Sequence, residues 1–156
     1  MRLKDAEKLA RKLLDDIGLT SVPFEFSNAK MRLGGARFIF FENEWVCTSL
    51  ELSKPITLIN SKKVIKEIVL HEIAHIMAGH DHLHDEVWKE CARHVGANPS
   101  YGMREVNFPE GRYKGNCPVC GKIFYRYRKH KRINDMFVCS CKEGEFKFKD
   151  TEKGKK

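Results

Sequence analysis

The chain has 156 residues, of which 42% are hydrophobic and 32% charged, enough for one domain core with a small appendage. No run approaches the roughly 20 apolar residues of a membrane span, and the charged start does not resemble a signal peptide. The formal charge of +8 is uneven: residues 112–156 hold 14 Lys/Arg against 5 Asp/Glu, and residues 1–111 hold 15 against 16. We therefore expect a cytoplasmic protein whose basic tail attracts a polyanion, nucleic acid first.

The first 60 residues predict a helix followed by a small sheet. Apolar residues at helical spacing indicate a helix over 3–17, which Gly18 ends. Three runs rich in β-formers then predict strands, with turns at Gly34-Gly35 and 42–44. The aromatic side chains are expected in the core, with a ligand-binding role as the alternative. The runs surround Phe24 and Phe26, span 37–41 and span 56–59. We expect a small, largely antiparallel sheet.

A nearly all-apolar helix follows, capped by Asn60 or Ser61 and running to about Ala78. It carries His71, Glu72 and His75. Residues four apart share a helix face, so both imidazoles can reach one metal ion while Glu72 stays near its open side. Chance histidines are the alternative, but burying these side chains without a partner costs several kcal/mol. We therefore predict a zinc site of the hydrolytic type, which needs a third protein ligand.

His80, His82 and His84 are the candidates for that third ligand, just past Gly79, which ends the helix. His84 is favoured because Asp85 after it can cap a new helix, over about 85–95, and a ligand at a helix start is held still. We interpret His80 and His82 as solvated loop residues, although a part in metal binding stays open for both. Trp88 is expected to pack behind the metal.

Residues 97–116 lack periodicity and predict a linker or a loop over the active site. Within it, Tyr101 and Arg104 are either substrate contacts or plain surface. The cysteines that follow form a second constellation: a Cys-x-x-Cys-Gly knuckle and, 18 residues on, a Cys-x-Cys pair. This spacing predicts a four-thiolate structural zinc site, with a redox or non-metal role as the alternative, and 122–138 as the two strands of a ribbon. The four ligands are Cys117, Cys120, Cys139 and Cys141.

Basic and aromatic residues lie between the two cysteine pairs. Arginine grips phosphates and aromatic rings stack on unpaired bases, so this stretch predicts contacts with single-stranded or junction DNA. The alternative is a solvated basic hairpin whose tyrosines cover the ribbon. The residues are Tyr125, Arg126, Tyr127, Arg128, Lys129, Lys131 and Arg132.

Several stretches together resemble the SprT-like metallopeptidase family. They are HEIAHIMAGHDHLHDEVWKECARHVGA, the upstream FEFSNAKMRLGGARF and ELSKPITLIN, and the C-terminal cysteines, which resemble the zinc ribbon of many members. The resemblance implies a catalytic zinc on His71, His75 and His84, a structural zinc on the cysteines, and Glu72 as general base. The chain departs from the family in having Asp85 where glycine is frequent, and in a second cysteine pair one residue tighter than usual.

The resulting expectation is an α+β, zincin-like minimal metalloprotease domain followed by a zinc-ribbon β-hairpin module. We place the catalytic domain at 1–98, a linker or active-site loop at 99–112, the ribbon at 113–150 and a disordered tail at 151–156. The activity implied is hydrolysis of peptide bonds by Glu-assisted attack of zinc-bound water, on DNA-bound or DNA-crosslinked protein. Two alternatives remain: a DNA-binding accessory protein with a vestigial or regulatory zinc site, and a general protease independent of DNA.

Overall fold

The predicted α+β composition is confirmed by the computed structural model, which describes residues 1–100, 106–133 and 135–152. The chain divides into two units, Met1–Pro109 and Glu110–Lys156. The first holds α1 (Leu3–Asp16), β1 (Phe24–Ser27), β2 (Gly34–Phe41), β3 (Glu44–Ser53), α2 (Lys54–Ile59), α3 (Lys62–Ala78) and α4 (Glu86–His94). The second holds β4 (Tyr113–Asn116), β5 (Ile123–Arg126), β6 (Phe137–Val138), β7 (Glu145–Phe146) and β8 (Lys149–Asp150). None of the helices in these ranges has the length and apolarity that crossing a bilayer requires.

The sheet of the first unit has the order β1-β3-β2, so β2 lies at an edge. β2 and β3 are antiparallel and joined by a tight turn in which Glu42 and Asn43 have φ angles of 48° and 67°. β1 pairs with β3 in parallel, the one exception to the antiparallel pairing predicted. A bulge interrupts the β2–β3 register between Arg37 and Phe38. The outer side of β2 therefore offers its backbone groups to an incoming chain.

Two predictions for this region are wrong, and a third is correct only in part. Gly34-Gly35 is the start of β2 rather than a turn, and residues 56–59 belong to helix α2 rather than to a strand. The α2 helix forms because the Ser53 hydroxyl accepts a hydrogen bond from the Ile56 N–H at 3.2 Å, and Pro55 suits a first helical turn. The aromatic side chains are only partly core: Phe24 is buried, whereas Phe40 and Phe41 are 61% and 56% exposed.

Helix α3 is buried on two sides, which explains its nearly all-apolar sequence. Toward the sheet and α1 it contributes to the main core, and toward α4 it packs Leu70 and Ala74 against Trp88. Its ends are those predicted, since the Ser61 hydroxyl accepts from the Val64 N–H at 3.4 Å and Gly79 follows at φ 90°. The helix is thus held rigidly, which fixes the side chains on its third face.

The segment predicted as a linker or active-site loop is partly anchored in the first unit. Val106 is buried in the main core, and the Asn107 N–H donates to the Asn60 side-chain oxygen at 2.9 Å. Tyr101 and Arg104 lie outside the described residues, as do 153–156 of the predicted tail.

The second unit is built from short strands around a small aromatic core. β4 pairs with β5 and β8, and β6 pairs with β7, all antiparallel. The prediction that 122–138 forms the two strands of one ribbon is therefore wrong in its pairing: β5 and β6 lie in that range but bind different partners. Phe146 and Phe148 fill the core together with Tyr113, Ile133 and two of the cysteines.

Candidate metal centres

Three imidazoles of the first unit converge. Helix α3 places His71 and His75 one turn apart, with ring centroids 5.0 Å from each other. His84 approaches from the segment before α4, and its Nε2 lies 3.1 Å from the Nε2 of His71. One ligand nitrogen of each residue lies within 4.8 Å of the others. A tetrahedral zinc with Zn–N bonds of about 2.0–2.1 Å needs nitrogens about 3.4 Å apart, so the donor set and its spacing fit zinc.

Trp88 forms the wall behind these rings. Its centroid lies 4.8 Å from that of His71, 5.3 Å from His75 and 4.5 Å from His84. The start of α4 is fixed because the Asp85 carboxylate accepts from the Trp88 N–H at 3.0 Å. The predicted cap and the predicted packing role of Trp88 are both present, and they hold His84 in place.

The protein environment favours the neutral form of His71 and His75, the form that binds a metal. Burial lowers the pKa of His71 to about 4, with further contributions from the neighbouring His75 and His84. Burial also lowers the pKa of His75, followed by the effect of His84, while a hydrogen bond to the His82 backbone opposes the shift. That hydrogen bond orients the His75 ring, as second partners of metal-binding histidines commonly do.

The side chain of Glu72 extends from α3 toward β2, and the residue is 8% exposed. Burial raises the pKa of its carboxyl group to about 7, against the charge of Arg32 and a hydrogen bond from the Ala36 N–H. Gly34 allows this approach: a Cβ there would lie 2.8 Å from the Glu51 carbonyl oxygen and 3.0 Å from the Glu72 Cγ. A carboxyl group with a pKa near 7 is well matched to proton transfer at neutral pH.

A cleft of about 280 Å³ opens beside Glu72 and His75. Edge strand β2 forms one side of it and the turn after α3 forms the other. The cleft is lined by Gly35, Ala36, Phe38, Glu72, His75, Gly79, His80, His82 and Leu83. The carboxylate and one candidate ligand are therefore reachable from solvent.

His80 and His82 do not join the histidine group that the structure assembles. The His80 ring stacks on Trp45, with centroids 3.5 Å apart and planes 11° from parallel. The His82 Nδ1 lies 2.7 Å from an Asp85 carboxylate oxygen. Both side chains are substantially exposed in the turn after α3, at 41% and 37%, as expected for loop residues, but each ring also has a specific partner.

The four cysteines of the second unit also converge, with one sulfur of each within 4.8 Å of the others. The Sγ atoms of Cys117 and Cys141 are 3.8 Å apart, and those of Cys120 and Cys139 are 3.6 Å apart. A tetrahedral zinc with Zn–S bonds of about 2.3 Å has sulfurs about 3.8 Å apart, whereas a disulfide needs about 2.05 Å. The arrangement fits a four-thiolate metal and excludes a disulfide.

Two tight turns produce this geometry. In the first, the Gly121 N–H donates to the Cys117 carbonyl at 3.0 Å. In the second, the Cys139 N–H donates to the Gly144 carbonyl at 2.8 Å, and a Cβ on Gly144 would lie only 2.2 Å from the Cys117 sulfur. The backbone N–H of Glu143 leads the groups that lower the pKa of the Cys141 thiol to about 6. Such N–H groups favour the thiolate that a metal requires.

The predicted nucleic-acid residues do not share one uniform surface. Arg128, Lys129 and Lys131 are exposed. In contrast, Arg132 pairs with Asp135 at 2.7 Å, the Tyr125 hydroxyl donates to Glu110 at 2.9 Å, and the Arg126 guanidinium lies 5.7 Å from the Phe148 ring. Tyr125 and Tyr127 are both half-buried. The exposed cations near the turn are thus the freest to meet a polyanion.

Sequence reasoning missed a second basic surface on this unit. A groove of about 490 Å³ beside β4 and β8 is lined by Lys114, Lys147 and Lys149, with Glu145 the one acidic residue at its lining. The signal was present in the alternation Phe146-Lys147-Phe148-Lys149, where both aromatic rings are buried and both lysines exposed.

Gly34 and Ala36, which shape the surroundings of Glu72, were also missed because their role depends on strand β2.

In this domain a long helix presents two imidazoles and a carboxylate, and the next turn supplies a third imidazole. This arrangement is metallopeptidase-like. The family model that matches this chain is described as the SprT-like family, over residues 5–110. The chain belongs to that family. The match ends before the cysteine centre, so that centre rests on its own geometry. No curated protein and no solved structure matches the chain significantly.

Proposed function

We propose that the protein is a zinc-dependent endopeptidase that cuts protein bound or crosslinked to DNA. The observation that supports hydrolysis is the convergence of His71, His75 and His84 beside the buried carboxylate of Glu72, in a cleft open to solvent. Zinc, when bound there, acidifies a coordinated water and polarises the scissile carbonyl. Three protein ligands leave the open position that a catalytic zinc requires.

The chain's own residues account for the remaining steps. Glu72 takes the proton from the attacking water and passes it to the leaving amine, a task suited to a carboxyl group with a pKa of about 7. The free side of β2 can pair with an extended substrate as an added strand, which aligns the peptide along the cleft. A structural or vestigial zinc would need no such carboxylate, so Glu72 favours an enzyme over an accessory protein.

The DNA part of the proposal is supported by the distribution of charge. Residues 112–156 carry a net formal charge of +9, against −1 for residues 1–111. Arg128, Lys129 and Lys131 are exposed on the second unit, as are Lys147 and Lys149. Such a surface attracts phosphates and concentrates the peptidase where protein and DNA meet.

Glu72→Gln separates catalysis from metal binding, because it removes the base and leaves all three imidazoles. The expected result is a full metal content by mass spectrometry together with loss of nearly all cleavage of an unfolded protein substrate. Glu90→Gln, on the exposed surface of α4, is the matched control and should behave as wild type. Normal activity in metal-replete Glu72→Gln would refute the mechanism.

The same cleavage assays with and without single-stranded DNA test the proposed role of DNA. The cleavage rate of a general protease would not depend on the DNA.

A further inference from the structure

The turn after α3 carries an aromatic assembly that neither metal centre uses. His80 stacks face to face on Trp45, and Phe38 meets the same His80 ring edge to face, with centroids 5.8 Å apart. Phe40 extends the assembly, its centroid 5.3 Å from that of Trp45. Four rings from a hairpin and a turn are thus joined in one surface.

This surface is apolar and open to solvent. Phe40 is 61% exposed, Trp45 42%, and the neighbouring cleft residue Leu83 73%. Exposure of several large apolar side chains together is uncommon and marks a place where a partner is bound. Here the surface is continuous with the cleft, because Phe38, His80 and Leu83 are among the residues that line it.

The cleft leaves room for one large side chain. Gly35, Ala36 and Gly79 contribute almost no side-chain bulk to its walls, whereas Phe38 and His80 contribute flat rings. Its volume of about 280 Å³ is at the small end of ligand sites and leaves room for a large side chain. Since Glu72 and His75 line the same cleft, that side chain would belong to a residue beside the scissile bond.

The position of His80 is fixed from two directions. Trp45 supports one face of the ring, and the Asp81 carboxylate lies 3.0 Å from its Nδ1. A ring held in this way presents a defined wall to the cleft at little further entropic cost. The bulge between Arg37 and Phe38 lies in the same stretch of β2, where a bulge re-aims the side chains that follow it.

We propose that Phe38, His80 and Leu83, with Trp45 behind His80, form an apolar subsite that accepts a large aromatic or aliphatic side chain of an extended peptide. The subsite sets which bonds are cut, so it rests on the proposed peptidase function. An acidic or small side chain gains little from these rings, whereas a phenylalanine or leucine buries apolar area and can pack edge to face.

Binding tests the subsite without any cleavage. The chain has two tryptophans, so Trp88→Phe leaves Trp45 as the one source of indole emission. This zinc-loaded variant is titrated with two peptides of ten residues that differ only in a central Phe or Ala. A saturable change in emission is expected with the Phe peptide, at a concentration at least tenfold lower than with the Ala peptide. Equal responses, or none, would overturn the subsite whether or not the protein cuts peptides.

Cleavage then tests specificity. Wild-type protein digests an unfolded protein of mixed composition, and the new termini are mapped by mass spectrometry. Large apolar residues should be enriched at one position beside the cut bonds, and Trp45→Ala or His80→Ala should lower that enrichment about fivefold or more while cuts at other residues continue. Leu58→Ala, which removes an exposed apolar side chain of α2 away from the cleft, should change nothing.

The outcomes separate the two proposals. Selective binding of the Phe peptide without any cleavage by metal-replete wild type would refute the peptidase and leave the subsite standing. Cleavage with no apolar preference, or an equal loss at all bonds in Trp45→Ala and His80→Ala, would refute the subsite and leave the peptidase standing.

Discussion

At the scale of single residues, Trp88 links packing to chemistry. It is 2% exposed and contacts all three candidate ligand rings, while its indole N–H has no hydrogen-bond partner among the described residues. Leaving a buried donor unpaired costs about 1–3 kcal/mol. Trp88 occupies this position despite that cost, which fits a role in supporting the imidazoles.

Trp88→Ala should therefore lower the free energy of unfolding by about 3–5 kcal/mol, as large-to-small changes of buried aromatics do, and should weaken zinc binding. Trp88→Phe keeps a ring behind the ligands and removes the unpaired N–H, so it should cost much less. Denaturant unfolding and zinc titration of both variants measure the two effects. Equal zinc affinity in Trp88→Ala and wild type would show that Trp88 only fills space.

The third ligand can be tested by comparing three histidines of one short segment. His84→Ala should lower the zinc content of the first unit far more than His80→Ala or His82→Ala, because only the ring of His84 meets those of His71 and His75. The rings of His80 and His82 are engaged with Trp45 and Asp85. Metal analysis of the purified variants decides it, and loss of the metal in His82→Ala alone would reassign the ligand.

At the scale of elements, strand β2 brings the backbone up to Glu72. Gly34→Ala forces a Cβ within 2.8 Å of the Glu51 carbonyl oxygen and 3.0 Å of Glu72, so β2 must shift away. We expect a loss of about 1–3 kcal/mol in stability, the range for overpacking, and a large loss of activity with zinc retained. Gly35→Ala is the matched control for stability and zinc content, since its nearest neighbour would be an Arg32 nitrogen at an ordinary 3.5 Å. Thermal melts and metal analysis compare the two variants, and peptidase assays compare Gly34→Ala with wild type, because Gly35 itself lines the cleft.

The elements that the sequence predicts well are those with long periodic patterns and caps. α1, α3 and α4 fall within one or two residues of expectation because each buries a regular face and carries a recognisable end, such as Ser61 or Asp85. Residues 56–59 are rich in β-formers, but the run is too short for its hydrophobic period to distinguish a strand from a helix. The helix cap at Ser53 outweighs their preference for a strand. The Gly34-Gly35 pair is typical of a turn when only its local sequence is considered. Its place in β2 beside Glu72 depends on a tertiary contact, of which the local sequence carries no signal.

For the residues of the candidate sites, too, the sequence predicts those that depend on local spacing and misses those that depend on tertiary contacts. The pairing of His71 with His75, and of the cysteines within each short motif, was predictable because residues so close in the chain lie on one face of a helix or turn. The cleft wall of Phe38 and His80, with Trp45 behind it, was not, since it joins a hairpin to a turn about 35 residues later in the chain. The exposure of Phe40 and Phe41 has the same origin: hydrophobicity favours the interior, and only the paired strands show which rings remain outside it.

At the scale of the whole molecule, the uneven charge predicts how DNA binding depends on salt. Alanine at Arg128, Lys129 and Lys131 should weaken binding to single-stranded DNA and reduce the slope of log K against log salt by about 0.7 for each phosphate that is no longer bound. Alanine at Lys4, Lys8 and Lys63, all exposed on the first unit, makes the same change in net charge and is the control. Fluorescence anisotropy at several salt concentrations gives both slopes. Equal slopes in the two variants would show that net charge alone attracts DNA.

The two candidate metal centres differ in the number of residues that separate their ligands along the chain. Eight residues separate His75 from His84, whereas 18 separate Cys120 from Cys139. A crosslink restricts the unfolded chain more when the loop it closes is longer, by about 0.6 kcal/mol for each doubling. The cysteine centre also supports a core of only six buried residues, of which two are its own ligands. As a chelator is added, the second unit should therefore lose its hydrogen-exchange protection globally, while the first unit should open only between α3 and α4.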